Sequence, residues 1–299
     1  MDAARHRAFI RHWPGMVRVP ISRTGVFRSP KIIYGKGFVM ITVSIDPILF
    51  SFGHLMIRWY GIIVVFAIAT GVWLGMREAL KKGFDGEDLY TGALLIVIAG
   101  LLGARLFHVL DHWGHEYAAN PLQALYIWEG GLAIWGGVAG GLLAAAIYAR
   151  VKGWRLPALL DAAAPALVLA QAIGRVACLI TGDAMGKPTS GPLGFAYTSP
   201  NAMVPELGVY YTPMPLYEII ANLGIFAVLW QLRKRRWPDG LLFLLYLTLY
   251  SLERIVLGFT SSYQIIALGL TQSQWIAIIA LGVALPLLAK LRMKPKLAV

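Results

Sequence analysis

Apolar residues in this chain gather into seven long runs, at roughly 60–76, 90–110, 132–149, 158–181, 216–232, 240–259 and 274–289. Short polar segments divide them. The pattern predicts an all-α polytopic membrane protein of about seven transmembrane helices. Some runs fall short of the ~20 residues of a straight span. The interfacial aromatics Trp59, Tyr90, Trp154, Trp237 and Trp275 extend their ends. Gly136, Gly137, Gly140 and Gly141 in the third run permit close helix approach. Pro165 predicts a kink in the fourth.

Cationic residues alternate between the connecting segments. Arg77, Lys81 and Lys82 follow the first run; Arg150, Lys152 and Arg155 follow the third; Arg233 to Arg236 follow the fifth; and Lys290, Arg292, Lys294 and Lys296 close the chain. The opposite segments 111–131 and 260–273 carry no Lys or Arg, and 182–215 carries Lys187 alone. This asymmetry predicts a cytoplasmic C-terminus and, across seven spans, an N-terminus outside. Residues 1–39 break the pattern, with eight Arg or Lys against the single acid Asp2. They lack the apolar core of a signal peptide. The natural start is therefore predicted at Met40, with 1–39 a non-native or disordered basic extension and 40–299 a single membrane domain. Intact mass of the native protein checks this: a terminus at residue 1 or 2 refutes it.

Composition agrees with the pattern. The chain is 58% hydrophobic and 14% charged, against about 25% charged in soluble domains. The net charge of +12 reads as membrane topology once its positions are known, so no nucleic-acid partner is implied. A lone cysteine, Cys178, excludes a disulfide framework and is read as a small buried residue. No metal-ligand spacing, Ser-His-Asp set or phosphate-binding glycine loop appears, so no cofactor or metal is expected.

The chemistry is carried by three arginines inside the runs: Arg105, Arg175 and Arg254. An arginine near the bilayer centre costs at least about 2.5 to 3.5 kcal/mol and keeps its proton. Each needs an anionic partner or a wet cavity, and three converging cations would suit a phosphate. Arg175 opens the segment Gly174-Arg175-Val-Ala-Cys178-Leu-Ile-Thr181-Gly-Asp183, where it either meets a lipid headgroup or snorkels to the interface. Arg254 follows Glu253 about 100° around a helix, which leaves it a ligand or an interhelical carboxylate such as Glu218 or Asp161. Arg105 is either neutralised within the bundle or a ligand group. Tyr60, Glu129-Gly130-Gly131 and Tyr217-Glu218 lie at the predicted outer face, where a tyrosine also suits the aromatic belt.

Taken together, Trp59-Tyr60-Gly61, Glu129-Gly130-Gly131, Gly174-Arg175, Leu216-Tyr217-Glu218 and Arg254 resemble the prolipoprotein diacylglyceryl transferase family over about residues 43–290. The stretch Ile45-Asp46-Pro47-Ile48-Leu49-Phe50 resembles the family's shared start. The resemblance implies a multi-pass enzyme of the bacterial plasma membrane. Such an enzyme moves diacylglyceryl from phosphatidylglycerol to the lipobox cysteine of prolipoproteins and releases glycerol phosphate. Its partners would be phosphatidylglycerol, prolipoproteins and membrane lipids. It implies Arg175, Arg254 and Tyr60 as catalytic, and Arg175, Arg105, Glu129, Gly130, Asp183, Tyr217, Glu218 and Trp135 as substrate-binding. The chain departs from the family pattern at Trp135, where many members carry His. Cys178 and Thr181 replace Asn, Asp183 replaces Glu, and Gly258 and Ser261 stand for an acid and an Arg. Trp135 cannot act as a base. A non-catalytic lipid-binding or accessory relative, and a transporter, are the alternative readings; no paired broken helices of a transporter appear.

Overall fold

The computed structural model describes residues 32–35, 38–52, 55–118, 120–126 and 130–293. Among the described residues, seven helices are long and apolar enough to cross a membrane. They are α1 (Trp59–Lys81), α2 (Gly86–Asp111), α3 (Ile134–Val151), α4 (Leu156–Thr181), α5 (Met214–Leu232), α6 (Leu241–Gly258) and α7 (Gln272–Met293). Each covers its predicted run to within a few residues, and α4 passes through Pro165 without a break. The surface is inverted relative to a soluble protein. Phe66, Leu102, Leu143 and Val256 are exposed, whereas Glu218, Asn222 and Ser251 are buried. Lipid tails solvate the former, and the latter must be satisfied inside the bundle.

The described residues form two compact units: one holds those up to Gly71 together with those from Ala164 onward, and the other those of Val72–Ala163. In the second unit, Asp85 caps α2 by accepting from the Asp88 amide at 3.0 Å, and Glu87 and Asp88 complement the helix dipole. The glycine seam read from the sequence joins α2 to α3. A Cβ on Gly136 would collide with the Gly103 carbonyl, so these backbones approach only because both positions are glycine. At the far end of the seam, Lys152 bonds Asp88 at 2.6 Å, which raises the pKa of the lysine.

In the first unit, α4, α5 and α6 meet through matching stripes. Ala164 and Val168 of α4, Ile225 and Leu229 of α5, and Leu242 and Tyr246 of α6 form an apolar cluster. Beyond that cluster the chain between α4 and α5 builds a small cap that the hydropathy pattern did not predict. It contains β5 (Leu193–Tyr197), parallel to β2 (Phe38–Val43), which pairs antiparallel with β1 (Ile32–Gly35). Met185, Phe195, Tyr197, Val209 and Tyr211 fill its core. Tyr197 donates to the Leu179 carbonyl at 2.6 Å and ties the cap to the last turn of α4. Burial pushes its phenol well above the ordinary range, so it remains a neutral donor. A hairpin of β3 (Ile48–Phe52) and β4 (Leu55–Arg58) leads into α1. Asp46 receives the Asn201 amide at 3.1 and 3.2 Å, which fixes the Ile-Asp-Pro stretch to the cap. The hairpin of β6 (Ile265–Ala267) and β7 (Leu270–Thr271) precedes α7.

Candidate functional site

Beyond the apolar cluster, the stripes on α4, α5 and α6 become polar and then ionic. Arg175 stands seven residues after Val168, Glu218 seven residues before Ile225, and Arg254 eight residues after Tyr246. Helical periodicity keeps each on the stripe that faces the other two helices. The two guanidiniums close on one carboxylate: Arg175 Nε pairs with Glu218 Oε2, and Arg254 Nη1 pairs with Glu218 Oε1 at 2.6 Å. The Glu218 side chain is 1% exposed, against 21% for Arg175 and 11% for Arg254. Arg254 Nε also donates to the Tyr250 hydroxyl at 2.9 Å. Glu253 Oε2 stands 3.5 Å from Arg254 Nε, so the cluster sets two guanidiniums against two carboxyl groups.

One turn toward the apolar cluster lies a layer of neutral polar groups. Gln171 donates to the Tyr246 hydroxyl at 3.0 Å, and Asn222 is fully buried. Neither amide atom of Asn222 has a hydrogen-bond partner among the described residues.

On the other side of Arg175, Cys178 is buried. Arg175 Nη1 donates to its sulfur at 3.7 Å, and its thiol donates to Asp183 at 3.9 Å. Among the described residues, Asp183 therefore meets Arg175 through the thiol rather than by a direct bridge. Tyr60, in the first turn of α1 and 40% exposed, stands within electrostatic reach of Arg175, Cys178 and Asp183. Tyr263 shares this reach with Arg175, Glu218 and Asp183. Sequence reasoning missed it, because it lies in a loop with no motif around it. The backbone holding Asp183 is sharply turned, with Gly182 and Ala184 both at positive φ. It is stitched down where Gly186 donates to the Thr212 carbonyl at 2.9 Å. A Cβ on Gly186 would stand 2.6 Å from the Thr260 carbonyl oxygen, so that seam needs glycine.

Positions 258 and 261 are packed against neighbouring groups. A Cβ on Gly258 would lie 2.6 Å from the Gln274 side chain of α7. Gln274 is 1% exposed. It donates to the Ile255 carbonyl at 3.0 Å and accepts from the Thr271 amide at 2.9 Å. The buried Ser261 hydroxyl donates to the Gly258 carbonyl at 2.7 Å. Gln274 was not singled out by the sequence.

Arg105 belongs to the second unit and is buried. Its guanidinium donates to the carbonyls of Gln123, Ala124, Tyr126, Gly130 and Gly131, at 2.6 to 3.3 Å, and lies 5.5 Å from the Tyr117 ring. Among the described residues its donors go to main-chain carbonyls rather than to an acid, so Arg105 ties the main chain at 123–126 to that at 130–131. Replacing it with Met strips those carbonyls of a charged donor, and hydrogen bonds to charged groups are worth about 1.5 to 3 kcal/mol each. Arg105→Met is expected to lower the thermal midpoint in detergent and open 120–131 to protease. Arg105→Lys, lacking the planar fork, restores little. Gly130 contributes a carbonyl to this cradle; Glu129 lies outside the described residues. Trp135 is in the first turn of α3, 37% exposed, also in the second unit. Tyr217 is half-buried beside Glu218. Asp161 pairs with Lys82 at 3.6 Å rather than with Arg254. Among the described residues, no cluster of His, Cys, Asp or Glu is arranged to hold a metal ion.

Seven bilayer-length helices and a buried guanidinium–carboxylate cluster define a polytopic membrane protein with an ionic centre. Residues 47–290 match the model of the family described as prolipoprotein diacylglyceryl transferase. Relatives named phosphatidylglycerol–prolipoprotein diacylglyceryl transferase agree. One from Dehalococcoides mccartyi is 37% identical over 250 residues, 83% of this chain and 94% of the relative. Another from Bacillus licheniformis is 34% identical, covering 84% of this chain and 94% of its own length. A third, from Symbiobacterium thermophilum, is 39% identical over 73% of this chain and 82% of the relative. The chain belongs to the prolipoprotein diacylglyceryl transferase family.

Proposed function

We propose that this protein transfers a diacylglyceryl group from phosphatidylglycerol to the lipobox cysteine thiol of prolipoproteins, releasing glycerol phosphate, in a bacterial plasma membrane. The observation that carries the reading is the convergence of Arg175 and Arg254 on Glu218 within an apolar bundle. Guanidinium donors not committed to Glu218 take the phosphate oxygens, and they strengthen their hold as the carbon–oxygen bond breaks and charge gathers on the departing phosphate. Glu218 keeps both forks oriented before lipid arrives. Tyr60 and Asp183 line the Arg175 side, where the acceptor thiol approaches. The alternation of basic segments supports a cytoplasmic C-terminus and a site toward the outer leaflet, where secreted precursors emerge.

Complementation tests this reading. Expression of the unmodified chain in a bacterium depleted of its own transferase restores growth and lipoprotein modification. Failure of a correctly inserted chain to do so would favour the accessory alternative.

A further inference from the structure

Glu253 precedes Arg254 in α6, and its side chain is 5% exposed. Neither carboxylate oxygen has a hydrogen-bond partner among the described residues. Its closest cation is Arg254, whose Nε stands 3.5 Å from Oε2. Glu218 is the opposite case, with one oxygen on each guanidinium. Protonating Glu218 would loosen two ion pairs, whereas Glu253 Oε1 offers open lone pairs beside the same arginine. The transfer proposed above releases a thiol proton and creates a new charge on the leaving phosphate. Trp135 can manage neither.

We propose that Glu253 is the proton shuttle of this reaction; the proposal rests on the transferase reading. The acceptor sulfur attacks the glyceryl carbon that bears the phosphate. The carbon–sulfur bond forms, the carbon–oxygen bond breaks, and its electron pair stays on the phosphate oxygen. The thiol proton passes to Glu253 and then to that phosphate, which leaves as the glycerol phosphate monoanion. Glu253 ends as it began, and no other reactant is needed. The groups that tune it are Arg175 on α4, Glu218 on α5, and Arg254, Tyr246 and Tyr250 on its own helix.

The test uses the full chain in phosphatidylglycerol-containing micelles with two lipobox peptides, one with cysteine and one with selenocysteine, which is already ionised at neutral pH. Glu253→Gln preserves volume. With the cysteine peptide it lowers kcat by on the order of 100-fold, flattens the acidic limb of the pH–rate profile and leaves KM for the lipid little changed. The selenocysteine peptide recovers most of that loss, because its nucleophile needs no base. Glu253→Asp keeps the acidic limb at a reduced rate, which separates proton transfer from packing. An unchanged profile in Glu253→Gln, or an equal loss with both peptides, overturns the shuttle. If the unmodified chain transfers to neither peptide at any pH, the transferase reading itself falls.

Discussion

Arg254→Ala is expected to abolish diacylglyceryl transfer, to below about 1% of the parent, while the protein still inserts as a seven-span chain. The guanidinium is almost fully buried and serves Glu218, Tyr250 and Glu253 together. Losing one preorganised donor to a developing oxyanion costs about 10²–10³ in rate, and here a whole charged fork is lost. Arg254→Lys keeps the charge but not the bidentate geometry, so it remains severely impaired. Arg175→Ala loses as much transfer with less damage to stability, because Arg175 is the more exposed partner. Radiolabelled lipid transfer to a lipobox peptide, read beside thermal midpoints in detergent, separates the two effects. Either alanine variant restoring growth of a transferase-depleted bacterium would overturn the phosphate-clamp assignment.

Glu218→Ala has the largest expected effect on the fold. It leaves two arginines facing each other across an apolar bundle, and removing one partner of a buried ion pair costs about 3–5 kcal/mol. The thermal midpoint should fall markedly, and more than for Arg175→Ala. Glu218→Gln keeps the shape and one acceptor oxygen, so it recovers part of the stability. It also raises the formal charge of the triad by one unit, so phosphatidylglycerol should be held more tightly while glycerol phosphate is released more slowly. A Glu218→Ala chain with a parental midpoint would show that the arginines are hydrated rather than paired.

The spans were legible because a bilayer demands runs of fixed length and apolarity, and α1 to α7 each answer one run. The cap was not. Its strands are short, β2 and β5 pair across some 150 residues, and no local period announces such a pairing. Arg175 and Arg254 stood out because an arginine in an apolar run is costly wherever it lies. Their shared partner did not: the sequence offered Glu218 and Asp161 equally to Arg254, and only the register of α5 against α6 decides between them. Arg105 shows a further limit. Its partners are five main-chain carbonyls, which every residue possesses, so no side-chain pattern could have identified them. Glu253 was visible as a neighbour of Arg254, but the lack of hydrogen bonds to its oxygens among the described residues depends on three helices at once.

The contact between Gln274 and Gly258 has a mutational consequence. The space beside the 258 backbone belongs to an amide that also binds Ile255 and Thr271. A side chain at 258 would need Gln274 to withdraw, and withdrawing it would strip two helix ends of their bonds. The two positions are thus epistatically locked. A change at 258 is tolerated only alongside a matching change at 274, so the pair must be varied together.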